Sequence, residues 1–210
     1  MKKLDLRKKY KDLYLPSAKK VTVVDVPDFQ FVMIDGQMEK GQSPGTSPAF
    51  QEAMQALYGA AYTLKFMSKL RKKNAIDYPV MALEALWWVE NGPFDIAKPG
   101  NWRWRAMIMQ PDHITPAMFA EALDQLRKKR PAGSLEKLRL ERFHEGLSIQ
   151  TMHIGPYATE PVTLDRMHAF AAENGYIQSG KHHEIYLGDP RRAAPEKLKT
   201  VLRYAVKKSG

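Results

Sequence analysis

Cysteine is absent from the 210 residues, which excludes disulfides, thiolate nucleophiles and zinc–thiolate centres and fits a reducing compartment. Long apolar runs are absent too: none approaches the ~20 residues that cross a bilayer. The opening MKKLDLRKKYKDLY carries lysines without the apolar stretch of a signal peptide. The expected setting is therefore cytoplasmic, with no membrane partner. No G-x-S-x-G elbow is present, and GQSPGTSP (41–48) lacks the lysine and spacing of a phosphate-binding loop. It reads as a turn before a helix.

Lysine and arginine number 33 against 23 acidic residues, a formal net charge of +10. A basic surface attracts phosphate whatever its sequence, but here much of the charge lies in short runs at the ends and at helix termini. These are Lys2, Lys3, Arg7 to Lys9, Lys19, Lys20, Arg71 to Lys73, Arg127 to Arg130, Lys207 and Lys208. Such runs offset helix dipoles or are simply solvated. The distribution argues against a nucleic-acid partner.

A faint internal repeat organises the chain. VTVVDVP (21–27) runs into DFQFVMIDGQ (28–37), and LRLERF (138–143) runs through HEG into LSIQTMHIGPY (147–157), each pair reading as strands broken by turn residues. After the first pair, Ser47-Pro48 signals a helix start, and Phe50, Met54, Leu57, Ala61, Leu64 and Met67 form an apolar stripe at helical spacing. A shorter helix follows the second pair, with Leu164, Met167, His168 and Ala171 on one face and Gly175 as its stop. Two more strand-like segments close each half: 78–89 with 101–109, and 181–187 with 199–206. Thr115-Pro116 opens a linker helix over 115–130, closed by Pro131 and expected to pack over the sheet. The fold class is α+β: two strand-helix-strand-strand modules in pseudo-two-fold arrangement, an antiparallel sheet, helices on one face and a ligand cleft on the other. Residues 1–20 read as an N-terminal extension. Residues 21–210 read as one domain, its modules spanning about 21–109 and 138–206.

Strand alternation sorts the polar and aromatic candidates. His182, Glu184 and Tyr186 share one face of their segment, and His183, Ile185 and Leu187 the other. Glu184 stands out. A carboxylate in a strand usually faces water; one facing an apolar concavity becomes a candidate base or cation anchor, because burial disfavours an unpaired charge. In LEALWW, Glu84, Leu86 and Trp88 share a face opposite Leu83, Ala85 and Trp87. Trp102 and Trp104 lie on a common face of the next segment. All four tryptophans thus fall between 87 and 104, enough flat area to line a pocket for a planar or cationic ligand. Adjacent His182 and His183 point to opposite faces and cannot chelate one ion together, and the other four histidines show no ligand spacing. The expectation is no metal and no cofactor.

Several runs are familiar: PSAKKVTVVDVPDFQFVMIDG, YGAAYTLKFM, LEALWW, WRWRAMIMQPDHIT, IQTMHIGPYATEPVTLDRMHAF and KHHEIYLGDPRR. Over nearly the whole chain they resemble the GyrI-like family, in particular stand-alone members of this length. The resemblance implies two modules with a small-molecule cleft where they meet. In multidrug-responsive transcription activators of this kind a buried glutamate among aromatics receives cationic drugs, and its match here is Glu184 in the E-I-Y-L run. No helix-turn-helix precedes residue 20, so the activator role does not carry over. Some stand-alone members are cyclopropanoid hydrolases that open the strained ring of DNA-alkylating natural products. On that resemblance the cage residues are Trp87, Trp88, Trp102, Trp104 and Tyr157, though alternation separates Trp87 from Trp88 unless the strand bulges. The implied function is binding of a flat aromatic or cationic xenobiotic, with Glu184 as base, Tyr157 as hydrogen-bond donor, and Glu84 and Tyr186 beside the ligand. Non-catalytic drug sequestration and a gyrase-inhibitor-type protein interaction remain alternatives. The sequence leaves open whether the molecule is a homodimer and whether Glu84 or Glu184 is the key carboxylate.

Overall fold

The computed structural model describes residues 1–92, 94–96, 101–129, 133–190 and 192–210. A short strand β1 (Lys2–Lys3) and single-turn helices α1 (Leu6–Lys9) and α2 (Lys11–Tyr14) precede β2 (Thr22–Gln37). The first module continues with α3 (Pro48–Lys69), β3 (Ile76–Asp77), β4 (Leu83–Trp88) and β5 (Arg103–Gln110). After α4 (Pro116–Arg127), the second comprises β6 (Arg139–Ile154), α5 (Glu160–Glu173), β7 (Tyr176–Gln178), β8 (His182–Tyr186) and β9 (Lys199–Lys208).

Helix starts follow the sequence signals. The Ser47 hydroxyl accepts from the Phe50 N–H at 3.3 Å, and Thr115 accepts from Met118 N–H at 3.2 Å, each with proline in the first turn. α4 lies against α3, where Leu126 reaches the open side of Gly59, rather than over the sheet as expected. Arg130 and Pro131, the expected end of that helix, lie outside the described residues. Among the described residues no helix is long and apolar enough to cross a membrane.

The main departure from the sequence reading is in the strands. Where two strands were expected on each side of Pro27 and of Gly146, β2 and β6 are each 16 residues long and unbroken. Their ladder pairs Val26 with Gly146 and Asp28 with His144, skipping Pro27, so the missing N–H interrupts nothing. Gly146 absorbs the local twist with φ 70°. Both residues punctuate a continuous strand.

Six strands, β6-β2-β5-β4-β8-β9, pair antiparallel in that order, and β9 returns to β6. The sheet closes on itself. The two modules contribute β2-β5-β4 and β6-β9-β8, and they meet at two seams, β2–β6 and β4–β8, which gives the pseudo-two-fold arrangement. A six-stranded barrel is too narrow for a channel, so its inward side chains fill it. Both long helices lie on the outward face: Phe50 of α3 packs on Trp87 and Trp104, and His168 of α5 on Tyr204. Gly36 is required by this packing, since a Cβ there would come within 2.1 Å of the Trp104 ring paired opposite it.

Candidate functional site

Register decides which candidates meet. Across the β4–β8 seam, Trp87 pairs with His182, Ala85 with Glu184 and Leu83 with Tyr186, and Trp87 pairs with Trp104 on β5. Directly paired residues share a face. Glu184, Tyr186, His182, Trp87 and Trp104 therefore stand together at the seam between modules, on the outward face that also bears the helices, and not on the face opposite the helices where the cleft is expected from the sequence. Trp102 joins them through its ring, 5.8 Å from Trp87. Glu84 and Trp88 project to the opposite face, as alternation required, and β4 does not bulge to bring them round.

Glu184 is 7% exposed and fully engaged. Tyr186 donates its hydroxyl to Oε2 at 2.5 Å, and Trp87 Nε1 donates to that same hydroxyl at 3.1 Å. His182 Nε2 lies 2.7 Å from Oε1, and its Nδ1 lies 2.9 Å from the Tyr204 hydroxyl. A carboxylate acceptor selects the Nε2–H tautomer, leaving Nδ1 to accept from Tyr204. Phe94 stacks on His182 at 5.3 Å and tilts against Trp102 at 5.1 Å. The carboxylate is thus flanked by a contiguous cluster of buried aromatic rings. Among the described residues the buried Trp104 Nε1–H has no acceptor.

Tyr157 stands at the rim, 36% exposed, its ring edge-on to Tyr186 at 5.9 Å. Partial burial and the nearby Glu184 and Glu160 carboxyls push its hydroxyl up to about 12, so it stays a donor at neutral pH.

Glu160 was not among the residues singled out from the sequence. It opens α5 with no solvent exposure, and among the described residues neither carboxylate oxygen has a hydrogen bond of good geometry, the Thr200 hydroxyl being the donor that acts on it. Burial, reinforced by repulsion from Glu184, raises it to about 9, with only the Thr200 hydroxyl acting in the other direction. Both causes favour its protonated form. In sequence, an acidic residue in the first turn of a helix reads as a dipole complement, and that ordinary reading conceals it.

Glu84 belongs to a second cluster inside the barrel. His183 Nε2 meets Glu84 at 3.1 Å and its Nδ1 meets Glu145 at 3.0 Å. Arg203 contacts Glu145 at 3.2 Å and donates to Gln150 at 3.0 Å and to the Leu13 carbonyl at 2.8 Å. Tyr14 donates to Glu84 at 2.6 Å. Gly146, by breaking strict alternation, brings Glu145 to this face. The N-terminal segment is thereby bonded to strands of both modules. This cluster is fully engaged internally and lies across the sheet from Glu184, so Glu84 does not share the aromatic site.

The interior cluster sets a pH window. Burial alone would lower His183, but Glu145 and Glu84 outweigh it and raise the imidazole from 6.5 to about 9. Its contribution to stability is fully present below about pH 6.5 and is lost as pH rises through about 9. Burial alone would raise Glu145, but His183 and Arg203 bring it from 4.5 down to about 2. That contribution is present above about pH 4.5 and lost as pH falls toward 2. Glu160, raised from 4.5 to about 9, adds a further loss as pH rises from about 4.5 toward 9. Chemical denaturation across pH should therefore give a maximum near pH 4.5–5 with decline on both sides, steeper above pH 6.5 where His183 joins in. A stability that keeps rising from pH 6.5 to 10 would contradict the assignment.

A closed barrel of two like modules, with a carboxylate beside an aromatic cluster at their seam, defines a small-molecule-binding domain. The chain belongs to the GyrI-like family, whose small molecule binding domain matches residues 19–207. An uncharacterized conserved protein from Listeria innocua is 38% identical, with a TM-score of 0.88 covering 97% of this chain and 100% of that one. A hydrolase from Listeria innocua is similar at 36% identity and a TM-score of 0.81, over 97% of this chain and 100% of its own. Another structure described as a Listeria innocua hydrolase gives 37% and 0.84, over 98% and 100%. A comparison with curated proteins finds no match.

Proposed function

We propose that this protein binds flat, strained or cationic xenobiotics against its aromatic cluster and hydrolyses those of the cyclopropanoid alkylator type, as a cytoplasmic detoxifying enzyme. The observation that carries the reading is Glu184: a buried carboxylate held by His182 and Tyr186 beside Trp87, Trp102 and Trp104. Its similarity to Listeria proteins described as hydrolases, over nearly the full length, supports catalysis.

In this mechanism the ligand ring stacks on tryptophan faces, and Glu184 accepts a proton from a water. The water oxygen bonds to the cyclopropane carbon as the ring C–C bond breaks, and that electron pair flows into the conjugated dienone. Its oxygen becomes a phenolate and takes a proton, so the ligand gains one water in all. The Tyr157 hydroxyl, still protonated at neutral pH, supplies a hydrogen bond as charge builds on that oxygen.

The test uses a synthetic spirocyclopropane-fused cyclohexadienone in excess over protein. Product should form over many turnovers by chromatography, and tryptophan fluorescence should quench on binding. Trp102→Ala should weaken binding roughly two- to tenfold, the scale of a lost aromatic contact worth about 0.5–1.5 kcal/mol. Protection that stops at one ligand per protein would replace the enzyme with a sequestering protein.

A further inference from the structure

We propose that Glu160, His182 and Glu184 form a binding site for one divalent transition-metal ion such as zinc. The three side chains are buried, and their potential ligand atoms lie within 4.8 Å of one another. Two come from alternate positions of β8 and the third from the start of α5, so the set exists only when helix and strand are packed. Adjacent His182 and His183 do point to opposite faces, and no other histidine joins them; His182 instead stands with Glu184, two residues on along β8, and with Glu160 from α5.

The independent sign is Glu160 itself. Among the described residues this buried carboxyl has no hydrogen bond of good geometry and only the weak help of the Thr200 hydroxyl. That burial is costly, and a second carboxylate close by makes it costlier. One proton relieves only the charge. A divalent ion would satisfy both carboxylates and the imidazole together, and three protein donors leave a fourth position for water or a ligand.

The outer shell already has the form such sites need. A ligating histidine is oriented by a partner on its other nitrogen, and ligating carboxylates are themselves hydrogen-bonded. His182 Nδ1 has the Tyr204 hydroxyl at 2.9 Å, and Glu184 has the Tyr186 hydroxyl at 2.5 Å. With an ion on Nε2 the proton would move to Nδ1 and donate to Tyr204, which accepts as readily as it donates. Donors around a tetrahedral ion at ~2.0–2.2 Å stand roughly 3.3 Å apart, so closure asks about an ångström of side-chain movement.

The experiment strips the purified protein with chelator and titrates it with cobalt(II) and zinc(II). One equivalent of cobalt should bind, with a visible absorption spectrum of low coordination number, and zinc should displace it. Glu160→Gln, which mimics the neutral acid and should fold, should weaken binding at least tenfold and abolish the spectrum. Binding of less than one equivalent, or a cobalt spectrum unchanged in Glu160→Gln, overturns the site. The outcome is separate from the hydrolytic reading, because turnover by chelator-stripped protein is measured in parallel: full activity without cobalt binding removes the ion and leaves the enzyme.

Discussion

Glu184→Gln should lower turnover of a spirocyclopropane dienone by about a hundredfold or more, the scale of removing a general base, while binding of a flat neutral ligand stays near wild type. The substitution keeps shape but removes basicity. Its amide oxygen can still accept from Tyr186, and its NH2 can face His182 if the imidazole changes tautomer. The Tyr204 hydroxyl permits that change, since it can donate to or accept from Nδ1. The site should therefore fold with its stacking surface intact. Paired measurement of affinity by fluorescence and product by chromatography separates the two effects. A variant that turns over as fast as wild type would remove Glu184 as base and turn attention to Glu160, the other carboxyl on the same face.

The second large effect concerns stability. Arg203→Met should destabilise the protein by about 3–5 kcal/mol, the usual consequence of removing one partner from a buried ion pair. Arg203 is 2% exposed and serves Glu145, Gln150 and the Leu13 carbonyl at once. The methionine fills much of the volume but supplies none of the three bonds. For a chain of this size each kcal/mol shifts the melting temperature by roughly 2–4 °C, so the loss is readily measured. Adding Glu145→Gln should recover part of it, because the stranded carboxylate is then neutral. No recovery in the double variant would mean that Arg203 acts through packing alone.

Much of this architecture is legible in the sequence, and the remainder is hidden for definable reasons. Caps at Ser47 and Thr115 act over three residues, so local reading finds them. Alternation correctly separates Trp87 from Trp88 and groups His182 with Glu184 and Tyr186, because side-chain period in a strand is local too. Closure of the sheet rests on pairing between β6 and β9, some fifty residues apart, for which neither strand carries a local mark. Pro27 and Gly146 are ordinary turn residues that the long ladder tolerates. Tyr14 sits in a basic, polar stretch whose composition suggests a loose extension, yet it is 1% exposed. Glu160 is the instructive miss in the candidate site: it acquires meaning only when α5 is laid across β8.

The bonds from residues 12–14 to the barrel interior also bear on how the chain is made. Asp12 and Leu13 emerge from the ribosome early, yet their carbonyls are bonded by Gln150 and Arg203, the latter on the last strand. Until β9 is synthesised, β6 and β8 each lack one neighbour and the N-terminal segment lacks its anchor. Vectorial synthesis at about 5–20 residues per second leaves the first module waiting roughly 5–20 s for closure. During that interval its unpaired strand edges are open to association, so a nascent chain stalled before residue 199 should be a better chaperone substrate than the finished protein.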